Sequence, residues 1–130
     1  MDLKRSTETG FHLEAYSNRP EIGAVSHLHP PYATAYSCLS TELPLTTISA
    51  RVGLNRVPCV ECFMPGSEEL CKAVSNGIAD HPECKALLMK EHGILTMAPS
   101  IQSAYYLADL FEDTAKIAFI AANIKMEDKP

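Results

Sequence analysis

From Ile101 to Ile124 apolar residues recur three and four apart, at Ala104, Ala108, Phe111, Ala115, Ala118 and Ala122, while Asp109, Glu112, Asp113 and Lys116 fall off that line. This spacing places the first set on one stripe of a long amphipathic α-helix, and a stripe that long has to be buried against another element. Ala98-Pro99-Ser100 leads into it. Upstream, Ala86 to Met89 is a short run of buried-strand type, and Ile94 to Met97 extends or pairs beside it.

The remaining elements follow from local signals. Ser6-Thr7-Glu8 ahead of Phe11, Leu13, Ala15 and Tyr16 reads as a capped helix start. That helix runs from about Thr7 to Ser17, because Asn18-Arg19-Pro20 pushes the chain out of the α region. Gly23 to His29 is a short apolar strand, and Pro30-Pro31 opens a second helix over Tyr32 to Leu39. Ser40 to Arg56 has little period and is expected to be loop with a short helix or strand. Val57 to Met64 alternates as a strand does, and Pro65-Gly66 turns the chain. Ser67 then caps a helix to about Ala79 that carries Glu68 and Glu69 where the helix dipole favours acids. Strands alternating with helices predict a layered α/β or α+β domain, without repeats or low-complexity segments.

A chain of 130 residues holds one domain, here residues 1–130, and its 46% hydrophobic and 21% charged content is that of a globular protein. A net charge of -5 and the lack of a basic patch exclude nucleic acid as the expected partner. The start, Met1-Asp2-Leu3-Lys4-Arg5, lacks the apolar core of a signal peptide. The longest apolar run, Ile117 to Ala122, is too short to span a bilayer. A soluble, cytoplasmic protein with no membrane partner is expected. Cys38, Cys59, Cys62, Cys71 and Cys84 are an odd set in segments that look buried, so free thiols are expected. Cys59-Val60-Glu61-Cys62 does not open a helix and has no second ligand pair, which favours packing over redox or structural-zinc roles.

His27 and His29 close the apolar stretch Gly23 to His29, and His92 stands in Lys90-Glu91-His92-Gly93 directly after a strand. Side chains at i and i+2 leave one face of a strand, so one cation can take both imidazoles, with His92 as the third ligand of an open zinc centre. Strand-end histidines can also be surface or hydrogen-bonded groups without metal; two on one face plus a third at a strand end favour the metal. His12, inside the first helix, and His81, in Asp80-His81-Pro82, read as a packed and a surface-loop histidine. Glu8 sits in the first helical turn as an acid suited to the dipole. Ser6, Thr7 and the free amides there could also bind a phosphate or carboxylate.

These residues carry a resemblance. Arg5-Ser6-Thr7-Glu8 through His12, Tyr16 and Arg19-Pro20, then Ala24-Val25-Ser26-His27-Leu28-His29 with Tyr32-Ala33-Thr34-Ala35, are similar to the class II aldolase and adducin superfamily. Pro65-Gly66-Ser67-Glu68-Glu69-Leu70, Glu91-His92-Gly93-Ile94 and Leu110-Phe111-Glu112-Asp113-Thr114-Ala115 continue the likeness in order over nearly the whole chain. The resemblance implies a three-layer α/β/α domain and a homotetramer with active sites between subunits. It implies Zn2+, or another divalent metal, on His27, His29 and His92, with Glu8 as catalytic acid/base and Ser6 and Thr7 on the substrate phosphate. The implied reaction is cleavage of a ketose 1-phosphate to dihydroxyacetone phosphate and an aldehyde through an enediolate: zinc polarises the substrate oxygens and the glutamate moves the proton. Related members are a 4-epimerase, which has aspartate in place of Glu8, a dehydratase and sugar-acid-phosphate decarboxylases. The adducin branch implies instead a non-catalytic assembly domain.

Members of the superfamily place a Gly-Asn-x-Ser and a Thr-Pro-Ser-Gly element ahead of the Ser-Ser-Glu turn, and neither occurs in this sequence. The domain is therefore expected to be N-terminally truncated, as a fragment, a shortened reading frame or a short protein, and weakly active by itself.

Overall fold

The apolar runs form one four-stranded sheet in a computed structural model that describes residues 3–39 and 41–124. Met1 and Asp2 of the leader argument and Ser40, the first residue of the expected loop, lie outside the described residues. The strands are β1 (Ala24–Leu28), β2 (Cys59–Val60), β3 (Ala86–Met89) and β4 (Gly93–Ala98), in spatial order β1-β4-β3-β2. β4 runs antiparallel to both β1 and β3, and β2 runs parallel to β3. Every residue of β3 and β4 is buried, the mark of strands covered on both faces.

Five helices provide that cover: α1 (Thr9–Asn18), α2 (Pro31–Ser37), α3 (Ile48–Leu54), α4 (Glu68–Asp80) and α5 (Ile101–Asn123). On one face Phe11 and Ala15 of α1 and Leu70, Val74 and Ile78 of α4 pack on Val25, Leu87, Met89, Leu95 and Met97. On the other, Ala33 of α2, Leu54 of α3 and Ala108, Phe111 and Ala115 of α5 pack on Ala86, Leu88 and Ile94. Alternate residues of each strand thus serve opposite layers, as the strand period requires. The result is the expected three-layer α/β/α arrangement.

Local chemistry explains the helix bounds. Ser100 and Ser103 form a reciprocal capping box at the start of α5. The Ser67 hydroxyl accepts the Leu70 N–H at 3.2 Å, with Glu68 and Glu69 in the first turn of α4. The alanine stripe of α5 is buried through Ala118, whereas Ala122 is exposed because the last turn runs past the sheet. Buried Thr96 is satisfied on both sides: its hydroxyl donates to the Ala104 carbonyl at 2.9 Å and meets Ser26 Oγ.

Several boundaries differ from expectation. β2 has two residues instead of the run Val57 to Met64, because only Pro58 and Val60 offer carbonyls to β3, and the chain then turns outward, exposing Phe63 and Met64. In the stretch expected to be loop with a short helix or strand, that element is the helix α3. Its Thr47 cap accepts the Ala50 N–H at 3.1 Å, and Ala50 and Leu54 are buried, so tertiary packing overrides a weak period. All five cysteines are free, but Cys38 and Cys62 are exposed and only Cys84 is buried.

Candidate metal centre

The end of the sheet where β1 runs out and β3 turns into β4 brings four side chains together. One ligand atom each from Glu8, His27, His29 and His92 lies within 4.8 Å of all the others. His27 stands opposite Leu95 in the β1–β4 ladder and so points into the α1 layer, where the edge of its ring meets Phe11 at 4.9 Å between centroids. His29 follows the last residue of β1, with its Nε2 3.1 Å from that of His27, so the two imidazoles do share a face. His92 is in the β3–β4 turn, beside Glu91, whose φ of 58° is left-handed. The three histidine rings form a near-equilateral group, with centroids 4.8, 4.8 and 5.0 Å apart.

Glu8 departs from its expected place. α1 starts at Thr9, so Glu8 is the residue before the helix and not an acid of its first turn. The Ser6 hydroxyl accepts the Glu8 N–H at 3.2 Å, and the Ser6 carbonyl accepts the Thr9 N–H and hydroxyl. This turn directs the Glu8 carboxylate inward: Oε1 accepts the His92 Nε2–H at 2.9 Å and lies 3.3 Å from His27 Nε2. Ser6 and Thr7 are both exposed. Ser6 borders a small cleft of about 310 Å³ with Glu8, Thr9, His12 and His27, but Thr7 does not; it lies against Gly66 instead.

His27 is held for ligation. Its Nδ1–H donates to the Ile94 carbonyl at 2.9 Å, which leaves the lone pair of the neutral ring on Nε2, facing Glu8, His29 and His92. Burial pushes the His27 pKa down, partly offset by that hydrogen bond and by Glu8, so the ring stays neutral as a metal ligand must. Zinc–nitrogen bonds of about 2.0–2.1 Å put tetrahedral ligand atoms roughly 3.3 Å apart, close to the 3.1 Å between His27 and His29. Three imidazoles and one carboxylate are a donor set that fits a divalent transition metal.

A mostly apolar cleft of about 550 Å³ lies elsewhere, between α5 and the connection from α1 to β1. There the Arg19 guanidinium is bound to the Cys84, Ile78 and His81 carbonyls. The histidine cluster opens instead on a cleft of about 700 Å³ bordered by Cys62, Phe63, Met64 and Glu91. Of the other histidines, His12 stacks on Phe11 at 5.1 Å, as a packed residue does. His81 is half-buried at the end of α4 with its ring on the Gly77 carbonyl, so it terminates a helix instead of lying free in a surface loop. Phe11 was missed as the wall of the centre; its place one helical turn after Glu8 was the available signal.

Comparison with known proteins agrees with this geometry. The model of the Class II Aldolase and Adducin N-terminal domain matches residues 1–119. An L-fuculose phosphate aldolase of Methanococcus maripaludis is 35% identical over 122 residues, covering 94% of this chain and 65% of the relative. A 3-oxo-tetronate 4-phosphate decarboxylase of Escherichia coli is 34% identical, over 90% of this chain and 56% of its own length. A solved L-fuculose 1-phosphate aldolase superposes with a TM-score of 0.86 at 29% identity, over 98% of this chain and 60% of that one. The chain thus spans less than two thirds of the length of these relatives.

Proposed function

Because the chain belongs to the class II aldolase and adducin family, we propose that His27, His29 and His92 hold a catalytic divalent cation, zinc by donor chemistry, in a lyase acting on a phosphorylated sugar. The observation that carries this reading is the convergence of three imidazole nitrogens and the Glu8 carboxylate within 4.8 Å. No helix among the described residues is long and apolar enough to cross a membrane. The proposed enzyme is cytoplasmic and works as a homo-oligomer.

The reaction is retro-aldol cleavage of a ketose 1-phosphate. A cation at the three histidines supplies Lewis acidity to the carbonyl and hydroxyl oxygens of the substrate. Glu8 takes the proton of the hydroxyl on the β carbon; the bond between α and β carbons breaks to leave an aldehyde. Its electron pair passes into the ketone as an enediolate, and the Glu8 carboxyl returns the proton to the α carbon, giving dihydroxyacetone phosphate. Phe11 lines the inner side of the histidine cluster, edge-on to His27 and His92. Ser6 is the better placed of the two hydroxyls for the phosphate, since it shares a cleft with Glu8. The decarboxylase among the relatives supports a second reading, in which the same centre stabilises the carbanion left by loss of CO2 from a 3-oxo acid phosphate.

The metal is tested first. Freshly purified protein is expected to contain stoichiometric divalent metal, lost in His27→Ala and His92→Ala; wild-type protein free of metal and unable to take it up overturns the reading. Retro-aldol activity of the purified chain should vanish in Glu8→Gln. Cleavage that survives Glu8→Gln removes the carboxylate from the mechanism, and decarboxylation without retro-aldol activity selects the second reading.

A further inference from the structure

His29 is the one exposed member of the cluster and lies past the last β1–β4 pair, Leu28 with Ile94, so no strand ladder fixes it. Besides Leu28 and the His27 ring, the support for its backbone is the chain that follows, Pro30-Pro31-Tyr32, which opens α2. Neither proline has an N–H to donate, and the Pro30 ring cannot cap a helix. The first free amides of α2 are therefore those of Tyr32 and Ala33. Both are satisfied by a single side chain from the far end of the sequence. Glu112 of α5 accepts the Tyr32 N–H at 3.1 Å through one carboxylate oxygen and the Ala33 N–H at 2.8 Å through the other. This is a carboxylate placed on helix N-terminal amides, where the dipole also favours it.

Two prolines make the link from this clamp to His29 stiff. Each fixes its own φ, and each restricts the residue before it, His29 and Pro30 respectively, to extended backbone. The Pro30 ψ of 139° fits this, and its carbonyl accepts the Thr34 N–H at 2.9 Å. A shift at Tyr32 is consequently passed along the backbone to His29 instead of being absorbed between them.

We propose that Glu112 is a positioning residue for the metal centre: by clamping the start of α2 it holds His29 in reach of a cation shared with His27 and His92. The inference rests on the metal reading given above. It concerns a residue that touches none of the cluster and acts only through α2.

The test uses the purified chain, stripped of metal and titrated with Co2+, whose visible absorption reports coordination. Wild-type protein should bind Co2+ with one spectrum. Glu112→Ala is expected to lose affinity by about tenfold to a hundredfold, the range for removing an outer support of a ligand, and to show an altered spectrum as His29 disengages. Glu112→Gln, which keeps one acceptor oxygen, should fall between, and it carries the test if the alanine variant does not fold. Val74→Ala, buried in the opposite layer, should lower the melting temperature while leaving the Co2+ affinity and spectrum unchanged. A Glu112→Ala protein with a lowered melting temperature but wild-type Co2+ affinity and spectrum would make Glu112 a helix cap alone and overturn the proposal. Wild-type protein that takes up no Co2+ overturns the metal reading itself, and the positioning role with it.

Discussion

Replacing Gly93 by alanine should damage the fold and the metal centre in one step. A Cβ at this position would stand 2.4 Å from the Leu28 carbonyl oxygen and 2.6 Å from His29 Cδ2. Ordinary contact begins at about 3.4 Å, so the two atoms must retreat by roughly 0.8–1.0 Å. The carbonyl belongs to the strand end paired with β4, and the ring is a candidate ligand, so neither retreat is free. Overpacking of this kind costs about 1–3 kcal/mol. For a domain between the usual size classes that is roughly 3–12 °C of melting temperature. A displaced His29 adds a loss of metal affinity of at least about tenfold, the effect of mispositioning a ligand. Gly77→Ala is the control, because it makes a similar overlap, 2.5 Å, but with Val60 Cγ1 in the core and not with a histidine. In α4 alanine gains up to about 1 kcal/mol of helix propensity, which offsets part of that overpacking, and metal affinity should stay intact. Thermal melts of the metal-free proteins and chelator competition for Zn2+ read both effects. A Gly93→Ala protein matching wild type in both, or a Gly77→Ala protein losing metal to the same extent, would refute the reasoning.

Three further outcomes are expected. Burial holds the His27 and His12 pKa values below the ordinary 6.5, so below that pH the unfolded chain binds more protons than the native one. The metal-free protein should lose stability as pH falls from about 6.5 and be insensitive to these groups above it; urea melts at pH 7.5 and 5.5 test this, and greater stability at 5.5 would contradict it. Cys38 and Cys62 are exposed while Cys84 is buried with its thiol pKa pushed up by desolvation, so a thiol reagent followed by mass spectrometry should modify Cys84 only on unfolding. Ser100→Ala removes the cap of α5 and should cost about 1 kcal/mol in chemical denaturation without altering metal content, since the capping box lies away from the histidines.

The elements most legible in the sequence are those whose residues carry their own reason. α5 and α4 have a serine cap and a buried stripe at helical spacing, and β3 is a short apolar run that two layers cover. The pair His27 and His29 is legible because strand geometry alone fixes residues i and i+2 on one side. Less legible are places decided by a partner far away in the chain. β2 is short because only Pro58 and Val60 meet β3, and α3 exists because Leu54 and Ala50 find a buried surface. The rhythm of Val57 to Met64 and the mixed composition around α3 carry no record of those neighbours.

The same division runs through the site. The sequence by itself determined the donor chemistry: three imidazoles, one carboxylate and the strand end that aims two of the rings together. Only the tertiary structure decided what Glu8 does, since the chain before α1 turns at Ser6 and sends the carboxylate to His92 and His27, 84 residues away in the case of His92. It also tied Glu112 to the helix that follows His29. Ligand identity is a property of side chains and travels with the sequence. Ligand placement depends on contacts between segments distant in the chain, which local periodicity and capping do not encode.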